Sequence, residues 1–508
     1  MRVDDAGVLA CAALEKNRVE RSSKAFIVSH ESSLTYGEVS KLAAGFAAFL
    51  RSQGVGRGDP VCLLMPRVPE LIISFLGALQ IGAVPVPVNY TLGPDGVLPF
   101  VESVAPAVIV AHEKILRQHR LDVCGRARGG ATVVVGGEMP GCVPWRLACV
   151  PTAGEPPGAA APGDVAYLNY TTGSSGVPKG AVTTHANIFW NTKSSVEAFG
   201  LTGDDVHLCM FASFAHPHEL FARALYLGGT IVLLEEINPK TMARTIRDRG
   251  VTCMMGLAPM YDMLISHCAD ADLGRLRIAE SGGMYTRPDI IENFRRHFGI
   301  PVLSVWGSTE TTGIALANTP AEYRADGSAG KACPHYGVRV VDETGRDVAD
   351  GVVGELVFSG PGVVSGYWQD VAFPSRDGWY HSGDLARRDA EGYHYFVERK
   401  TGLLKVAGMK VYPLQVELVL QSHPSVKEAA VIGVEDRLRG VVPKAFLIAR
   451  EGCRVDADEL RRFCRERLAD LMIPRDMQVV GDLPRIGSGK VDKRTLKNRD
   501  GEHRHEER

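Results

Sequence analysis

The chain has 508 residues, with 57 Lys and Arg against 59 Asp and Glu, so its net charge is −2. This length exceeds one hydrophobic core, and we expect two or more domains. The balanced charge argues against a nucleic-acid-binding or membrane-surface protein, and no apolar run reaches the roughly 18 residues of a membrane span. The 11 cysteines form no CxxC pair, which is typical of reduced thiols in a cytoplasmic protein.

The first hundred residues show the pattern of a parallel α/β unit. Thr35 and Glu38 form a capping-box pattern at the start of a helical segment, and Gly54 predicts its end. Apolar segments over 61–65 and 83–88 predict buried strands on either side of a helix over 69–81. Strand, helix and strand with short connections predict a βαβ unit and therefore a parallel sheet.

Later segments predict more α/β structure followed by two smaller parts. Residues 153–163 have the composition of a surface linker, and a strand over 165–170 precedes a glycine-rich loop and a helical segment. Short strands between glycine turns predict a β-rich part over 337–366. The last hundred residues predict a compact α+β unit, with helices over 411–422 and 456–471 and strands over 429–434 and 444–448.

The segment YTTGSSGVPKG, residues 170–180, has the composition of a phosphate-binding loop. Its glycines let the backbone turn and present N–H groups to phosphate oxygens, while its hydroxyls and lysine add donors and positive charge. It is not a Walker A loop, because GxxxxGK[ST] does not fit, and a flexible Gly/Ser surface loop has a similar composition. The candidate phosphate-binding residues are Thr171, Thr172, Gly173, Ser174, Ser175, Gly176 and Lys179.

This segment resembles the signature of the adenylate-forming superfamily, which comprises acyl-CoA synthetases, adenylation domains of peptide synthetases and luciferases. Four further motifs resemble those of that family in the same order, and a small-residue segment precedes them. The resemblance covers essentially the whole chain, and the ordered set is far more specific than any one motif. The segments are SGGM (281–284), VWGSTETTG (305–313), WYHSGD (379–384), ERKTGLLKVAG (398–408) and PRIGSGK (484–490).

The resemblance implies an α/β fold with two domains. The N-terminal domain, residues 1–400, would combine stacked α/β subdomains with a small β-rich subdomain and bind AMP. A small mobile α+β C-terminal domain, residues 401–508, would carry the catalytic lysine. The usual Asp or Lys of the hinge is replaced here by Thr401, which changes the hinge but removes no catalytic group.

The resemblance also implies roles for individual residues. Lys490, Thr309 and Glu310 would be catalytic, and Glu310 would hold Mg²⁺, a hard cation that prefers oxygen ligands and phosphates. Trp306 would stack on adenine, and Asp384 would accept hydrogen bonds from the ribose hydroxyls. The further nucleotide- or CoA-side residues are Gly283, Met284, Gly307, Ser308, Arg399, Lys405 and Gly408.

Each motif alone also has an ordinary structural interpretation. Thr309 could cap a polar turn, Asp384 could follow Gly383 in a common turn, and the charges near Arg399 could belong to a solvated linker. Lys490 could be one basic residue of a basic tail. It is the ordered set that favours the catalytic interpretation.

The motif set predicts a specific reaction. A carboxylate is a poor electrophile, and joining it to AMP with release of pyrophosphate supplies a good leaving group. The carboxylate and the triphosphate are both anions, so Lys179, Lys490 and Mg²⁺ on Glu310 would bring them together. ATP and Mg²⁺ are therefore expected partners, and the resemblance further implies coenzyme A as the thiol that attacks the adenylate next to Gly408.

The identity of the acid is the weakest signal in the sequence. The segment over 211–220 corresponds to the family's acyl-pocket segment, with Gly282 facing the same pocket. His216 or His218 could gate the pocket or orient the carboxylate, although a structural histidine is as ordinary an interpretation. No Asp occurs in this segment and its single acidic residue is Glu219, which disfavours an amino acid and favours a fatty or aromatic acid.

Two alternatives remain open at this point. A stand-alone adenylation enzyme would transfer the acyl group to the pantetheine of an acyl or peptidyl carrier protein instead of CoA. A non-catalytic nucleotide-binding relative would lack Lys490 or Glu310, and both are present.

Overall fold

A computed structural model describes residues 9–152, 160–171, 178–436, 440–485 and 491–506. Strands and helices alternate through most of the chain, as expected for an α/β protein. The helices are α1 (Ala10–Glu20), α2 (Tyr36–Ser52), α3 (Pro69–Gln80), α4 (Gly93–Val104), α5 (Glu113–Gln118), α6 (Trp145–Ala148), α7 (His185–Phe199), α8 (Ala222–Leu227), α9 (Pro239–Asp248), α10 (Ala258–Cys268), α11 (Pro288–Phe298), α12 (Pro413–Gln421), α13 (Ala457–Arg465) and α14 (Lys493–Glu506).

Within the described residues, the strands belong to four sheets and one two-stranded hairpin. They are β1 (Ala25–Val28), β2 (Ser33–Thr35), β3 (Pro60–Leu64), β4 (Val84–Pro87), β5 (Val108–His112), β6 (Ala131–Val135), β7 (Val143–Pro144), β8 (Val165–Thr171), β9 (Lys179–Thr184), β10 (Val206–Cys209), β11 (Thr230–Val232), β12 (Cys253–Gly256), β13 (Ile278–Ser281), β14 (Val302–Ser308), β15 (Gly313–Ala317), β16 (Lys331–Ala332), β17 (Gly337–Val341), β18 (Gly354–Ser359), β19 (Ser375–Arg376), β20 (Trp379–Arg388), β21 (His394–Arg399), β22 (Leu404–Val406), β23 (Met409–Val411), β24 (Val426–Asp436), β25 (Gly440–Ala449) and β26 (Asp476–Val479).

The largest sheet has nine strands in the order β16-β15-β14-β13-β12-β10-β11-β1-β2. The six from β14 to β1 are parallel, and an antiparallel strand flanks them at each side. Because parallel strands end at the same edge, the segments that follow β10, β12, β13 and β14 meet there. A core of buried apolar residues from this sheet and helices α9, α10 and α11 supports that edge.

The predicted βαβ unit is present in a second, fully parallel sheet of order β4-β3-β5-β6-β7. The capping box ahead of it is also confirmed: Thr35 Oγ1 accepts from Glu38 N at 3.2 Å, and Glu38 Oε2 accepts from Thr35 N at 2.8 Å. Gly54 follows helix α2 with φ +75°, the left-handed conformation that ends helices. Both features depend on neighbours in sequence, which is why the sequence reveals them.

The glycine-rich segment lies in a different setting from the predicted one. It was expected between a strand and a helix, but the chain after it first forms β9, which pairs antiparallel with β8, and only then enters α7. Thr171 pairs with Lys179 across this hairpin. Residues 172–177 of the loop, and residues 153–159 of the predicted linker, lie outside the described ranges.

The chain divides into two compact units. The first comprises Met1–Val338, Val357–Tyr380 and Gly392–His394, and the second comprises Arg339–Leu356, His381–Glu391 and Tyr395–Arg508. The predicted boundary at residue 400 stays a prediction. Among the described residues, no helix has both the length and the apolar character needed to cross a membrane.

The β-rich part predicted after residue 337 is a five-stranded sheet of order β17-β18-β20-β19, with β21 beside β20. The C-terminal α+β unit contains the sheet β23-β22-β25-β24, with β26 beside β25, and helices α12 and α13. The first predicted helix there begins at Pro413, later than expected, because Met409–Val411 form β23. The second ends at Arg465, earlier than expected.

A fully buried ion pair joins two elements of the large sheet's edge. The Arg223 guanidinium on α8 donates to both carboxylate oxygens of Glu280 on β13, at 2.6 and 3.0 Å. Glu219, one turn before Arg223, lies 3.7 Å away from the same guanidinium. Burial raises the pKa of the Glu280 carboxyl, and the adjacent Arg223 opposes this increase.

The change Arg223→Met should destabilise the fold by about 3–5 kcal/mol, because it leaves the Glu280 carboxylate buried without its partner. Urea unfolding followed by circular dichroism measures the loss. Arg18→Met, which removes the exposed ion pair of Arg18 with Glu15, should leave the urea midpoint unchanged. A loss below about 1 kcal/mol for Arg223→Met would contradict the assigned role of the buried pair.

Candidate active site

The candidate acyl segment and two predicted motifs lie at one edge of the nine-stranded sheet. Residues 211–220 follow β10, Gly282 and Gly283 follow β13, and Trp306 and Gly307 end β14. Strand β13 is parallel to β14 with Ser281 opposite Ser304, so the two motifs emerge side by side. The carboxyl edge of a parallel sheet is where ligands bind in open α/β folds.

Close packing at this edge requires a glycine at position 282. A Cβ at Gly282 would lie 2.8 Å from Val305 Cγ2 and 3.6 Å from Phe211 Cζ. The Phe211 ring therefore lies directly against the backbone that the sequence assigns to the acyl pocket. Gly283 has φ +76°, a conformation that favours glycine, and Met284 after it is half-buried.

The two candidate histidines of the acyl segment occupy different environments. His216 is half-buried, and its ring lies 6.3 Å from the Phe211 ring, so it remains a candidate for the acyl pocket. His218 is 1% exposed, and its Nδ1 is 2.7 Å from the hydroxyl of Tyr167. Burial lowers the pKa of His218 to about 3, which keeps its imidazole neutral. His218 is therefore buried and neutral, and its role in the acyl pocket stays a prediction.

Trp306 stands at a bulge where β14 pairs with β15, and its indole stacks on Phe358 with ring centroids 4.3 Å apart and planes 5° apart. A bulge redirects a side chain out of the regular alternation of a strand. A Cβ at Gly307 would lie 2.4 Å from the carbonyl oxygen of Gly313, so only glycine fits there. Trp306 and Ser308 are both half-buried.

Buried polar groups form hydrogen bonds with the backbone of the turn over residues 309–312 and of the strand that follows it. This turn contains the predicted catalytic residues Thr309 and Glu310. Asn191 Nδ2 donates to the carbonyl of Ile314 at 3.0 Å and to the hydroxyl of Tyr336 at 2.9 Å. That hydroxyl donates in turn to the carbonyl of Thr311 at 2.7 Å. The turn connects two strands, β14 and β15, and Thr309 is half-buried.

Glu310 is 8% exposed and lies between two tyrosines. Tyr367 Oη donates to Glu310 Oε1 at 2.6 Å. Burial, and next the negative charge of Glu310, raise the pKa of Tyr380. The carboxylate of Glu310 is thus fixed in orientation by its neighbours.

We call the hairpin of β8 and β9, whose loop is the candidate phosphate-binding loop, the phosphate hairpin. Its residues Thr171 and Lys179 pair with each other next to that loop, and both are half-buried. The Lys179 ammonium lies 5.4 Å from the centre of the Tyr367 ring. The remaining predicted loop residues, and the predicted catalytic Lys490, lie outside the described residues, so their roles stay predictions. They are Thr172, Gly173, Ser174, Ser175 and Gly176.

The second unit brings two predicted nucleotide contacts together. Arg399 Nε lies 2.7 Å from Asp384 Oδ1, and Asp384 is 2% exposed. Lys405 is exposed on β22. Gly408, with φ +83°, and Ala407, with φ +48°, form the two-residue turn between β22 and β23. Positive φ at both central residues is the geometry of a type I′ hairpin turn.

Four residues that contact this site were not singled out from the sequence. Phe358 covers one face of Trp306, Tyr367 binds Glu310, and Asn191 and Tyr336 support the turn. The contacts join residues that are 25 or more positions apart in the chain, so no local pattern marks them. The one sequence feature that could have indicated Tyr367 is the segment that it ends, GPGVVSGY (residues 360–367), because its glycines allow close packing of the backbone.

Comparison with known families agrees with this geometry. The sequence model described as AMP-binding enzyme matches residues 14–368. The chain belongs to the AMP-binding enzyme family. The C-terminal domain of AMP-binding enzymes matches residues 415–490.

This AMP-binding enzyme is similar over nearly its whole length to proteins that form CoA thioesters. A feruloyl-CoA synthase of Amycolatopsis sp is 34% identical over 496 residues, which are 95% of this chain and 98% of that protein. The anthranilate CoA ligase AuaEII in complex with anthranoyl-AMP superposes with a TM-score of 0.89 at 25% identity, covering 97% of each chain. O-succinylbenzoate CoA synthetase from Bacillus subtilis, in complex with ATP and magnesium, superposes with a TM-score of 0.83 at 26% identity, covering 96% of this chain and 99% of that one.

The buried His218 predicts a pH dependence of stability in this AMP-binding enzyme. Because its pKa is lowered from 6.5 to about 3, the unfolded chain binds a proton before the folded one does as pH falls below 6.5. Stability from this residue is complete above pH 6.5 and is lost as the pH falls towards 3.

His218→Phe should therefore reduce the slope of unfolding free energy against pH by about 1.4 kcal/mol per pH unit below 6.5. Urea unfolding between about pH 6 and pH 4 measures that slope. Tyr167→Phe is the matched control, because it removes the same hydrogen bond but keeps the buried imidazole, and its slope should equal that of the unaltered protein. Equal slopes for all three proteins would contradict the assignment.

Proposed function

We propose that this enzyme, an AMP-forming acid–CoA ligase, activates an aromatic carboxylic acid. The observation that carries the proposal is the Phe211 ring packed beside Gly282 at the carboxyl edge of the sheet, where residues 211–220 meet the end of β13. An aromatic ring offers a flat apolar surface to another ring. The similar proteins named above act on feruloyl, anthraniloyl and o-succinylbenzoyl groups, which all contain an aromatic ring.

The setting of Glu219 supports an acid without a positively charged ammonium group. It is the single acidic residue in the acyl segment, and it is 7% exposed and lies 3.7 Å from Arg223. A carboxylate already engaged by a buried guanidinium is a poor partner for a substrate ammonium, because turning away would leave Arg223 less well paired. The acyl segment thus offers an apolar wall and no counter-ion for an amino acid.

In the first half-reaction, a carboxylate oxygen of the acid attacks the α-phosphorus of ATP, and the bond to pyrophosphate breaks. No side chain acts as nucleophile, so the protein contributes positioning and charge neutralisation. We propose that Trp306 stacks on the adenine and that Lys179 and Lys490 bring positive charge to the reacting anions. Asp384 and Arg399, paired in the second unit, are proposed to bind the ribose.

The residues present fit a divalent cation beside the triphosphate. The Glu310 carboxylate is nearly buried and oriented by a hydroxyl, and Mg²⁺ prefers carboxylate and phosphate oxygens. When bound, the cation would neutralise phosphate charge as pyrophosphate leaves. We propose that Glu310 holds it and that Thr309 contacts the α-phosphate or the substrate carboxylate.

In the second half-reaction, the CoA sulfur attacks the acyl carbon of the adenylate, AMP leaves, and the thiol proton is lost to solvent. Lys405 and Gly408, on the β22–β23 hairpin, are the proposed approach for the pantetheine arm. The alternative acceptor is the pantetheine of a carrier protein, in place of CoA. The boundary at residue 400 and the cytoplasmic location stay predictions.

With ATP, Mg²⁺ and CoA, aromatic acids should release pyrophosphate with a kcat/KM at least about tenfold above that for straight-chain fatty acids, because the pocket wall is a ring. Mass spectrometry should find the corresponding aryl-CoA thioester. Preference for fatty acids would reject the aromatic class, adenylate without thioester would reject CoA, and faster transfer to a holo-carrier protein would favour the alternative.

Lys490→Ala should slow adenylate formation by about 100-fold or more, because a positive charge that stabilises the transition state is lost, while ATP binding stays largely intact. Pyrophosphate release and calorimetric ATP titration measure the two effects. Lys497→Ala, an exposed lysine of the same basic tail on α14, is the matched control and should retain full activity. Normal adenylation by Lys490→Ala would show that this lysine belongs to a basic tail.

A further inference from the structure

Tyr367 contacts two of the groups that are proposed to act on the triphosphate. Its hydroxyl donates to Glu310 Oε1 at 2.6 Å. Its ring faces the Lys179 ammonium, which lies 5.4 Å from the ring centre, within the range of a cation–π contact. One side chain therefore joins the proposed cation ligand to the lysine of the phosphate hairpin.

The backbone around Tyr367 is fixed to the same two elements. The carbonyl of Gly366 accepts from Val182 N on β9 at 3.0 Å, and Tyr367 forms a β-bridge with Ala181. On the other side, Val364 N donates to the carbonyl of Glu310 at 2.9 Å. The segment that carries Tyr367 thus connects the phosphate hairpin to the turn of Glu310.

Aromatic packing and a buried amide limit the freedom of this segment. Phe373 meets the Tyr367 ring edge-on at 5.2 Å and stacks on Tyr380 at 5.5 Å. Asn187 Nδ2 donates to the carbonyls of Pro361 and Val363, at 2.9 and 3.2 Å. Side chains locked by their own neighbours are the ones that can position a functional group precisely.

We propose that Tyr367 is a positioning residue whose hydroxyl fixes the Glu310 carboxylate for a divalent cation and whose ring holds Lys179 toward the phosphates. This inference rests on the proposed function of Glu310 and Lys179. A carboxylate has about four lone-pair sites on its two oxygens, and the hydroxyl uses one of them. The carboxylate therefore keeps sites for a cation while its orientation is set in advance.

The two halves of the side chain can be separated by substitution. Tyr367→Phe removes the hydroxyl and keeps the ring beside Lys179, whereas Tyr367→Leu removes both. Loss of a hydrogen bond that orients a metal ligand typically weakens metal binding by about 10–100-fold, and loss of an exposed cation–π contact weakens binding by about 2–5-fold.

The test is calorimetric titration of ATP, without any acid, once in EDTA and once with Mg²⁺. The gain in ATP affinity caused by Mg²⁺ is the measured ratio. Tyr367→Phe should lower that ratio by about tenfold and leave affinity in EDTA unchanged. Tyr367→Leu should lower the ratio similarly and also weaken ATP binding in EDTA by about 2–5-fold.

Two controls assign the effect to the contact itself. Tyr36→Phe removes another buried hydroxyl, bonded to the carbonyls of Ala224 and Gly229, and should leave the ratio unchanged. In a Glu310→Gln background, Tyr367→Phe should have little further effect, because the hydroxyl acts through that carboxylate.

An unchanged ratio in Tyr367→Phe, or an equal loss in Tyr36→Phe, overturns the proposal. So does an unaltered protein whose ATP affinity does not respond to Mg²⁺. Failure to form any aryl-CoA thioester would reject the proposed function and not this inference. The two outcomes are separate because the titration contains no acid and no CoA and measures only the effect of Tyr367 on ATP and Mg²⁺ binding.

Discussion

The buried contact between Arg223 and Glu280 is the constraint on which the acyl side of the site depends. Arg223 lies on the helix directly after residues 211–220, and Glu280 lies one residue before Ser281, next to Gly282. Water cannot replace either partner in this interior, so separating the two elements would strand a charge. The ion pair thereby fixes the separation between the segment that carries Phe211 and the strand end that carries Gly282.

Two buried histidines, His207 on β10 and His218 in the acyl segment, carry no positive charge at neutral pH. Burial lowers the pKa of each to about 3. The Arg223 guanidinium is matched by Glu280. The positive charge that we propose for the triphosphate therefore comes from other segments, namely Lys179 and a cation held by Glu310.

Local features were predictable from the sequence, and contacts between distant segments were not. The capping box of Thr35 and Glu38 and the first βαβ unit follow from spacing over a few residues. Strand β9 was missed because its run, KGAVTT, is short and mixed in polarity and leads straight into α7. The motifs predicted residues that lie at the sheet edge. They did not predict the contacts of Tyr367 and Phe358 with those residues, or the contact of Glu280 with Arg223, because each partner lies far away in the sequence.

The stacking of Trp306 on Phe358 has a consequence for recognition of the base. The Phe358 ring covers one face of the indole, so an adenine bound by Trp306 as proposed would stack on the opposite face. The affinity of such stacking depends on the planar area of the base and not on which heteroatoms the base carries. In the proposed arrangement, discrimination of adenine from guanine would come from polar groups at the edge of the base, and the indole would supply affinity without selectivity.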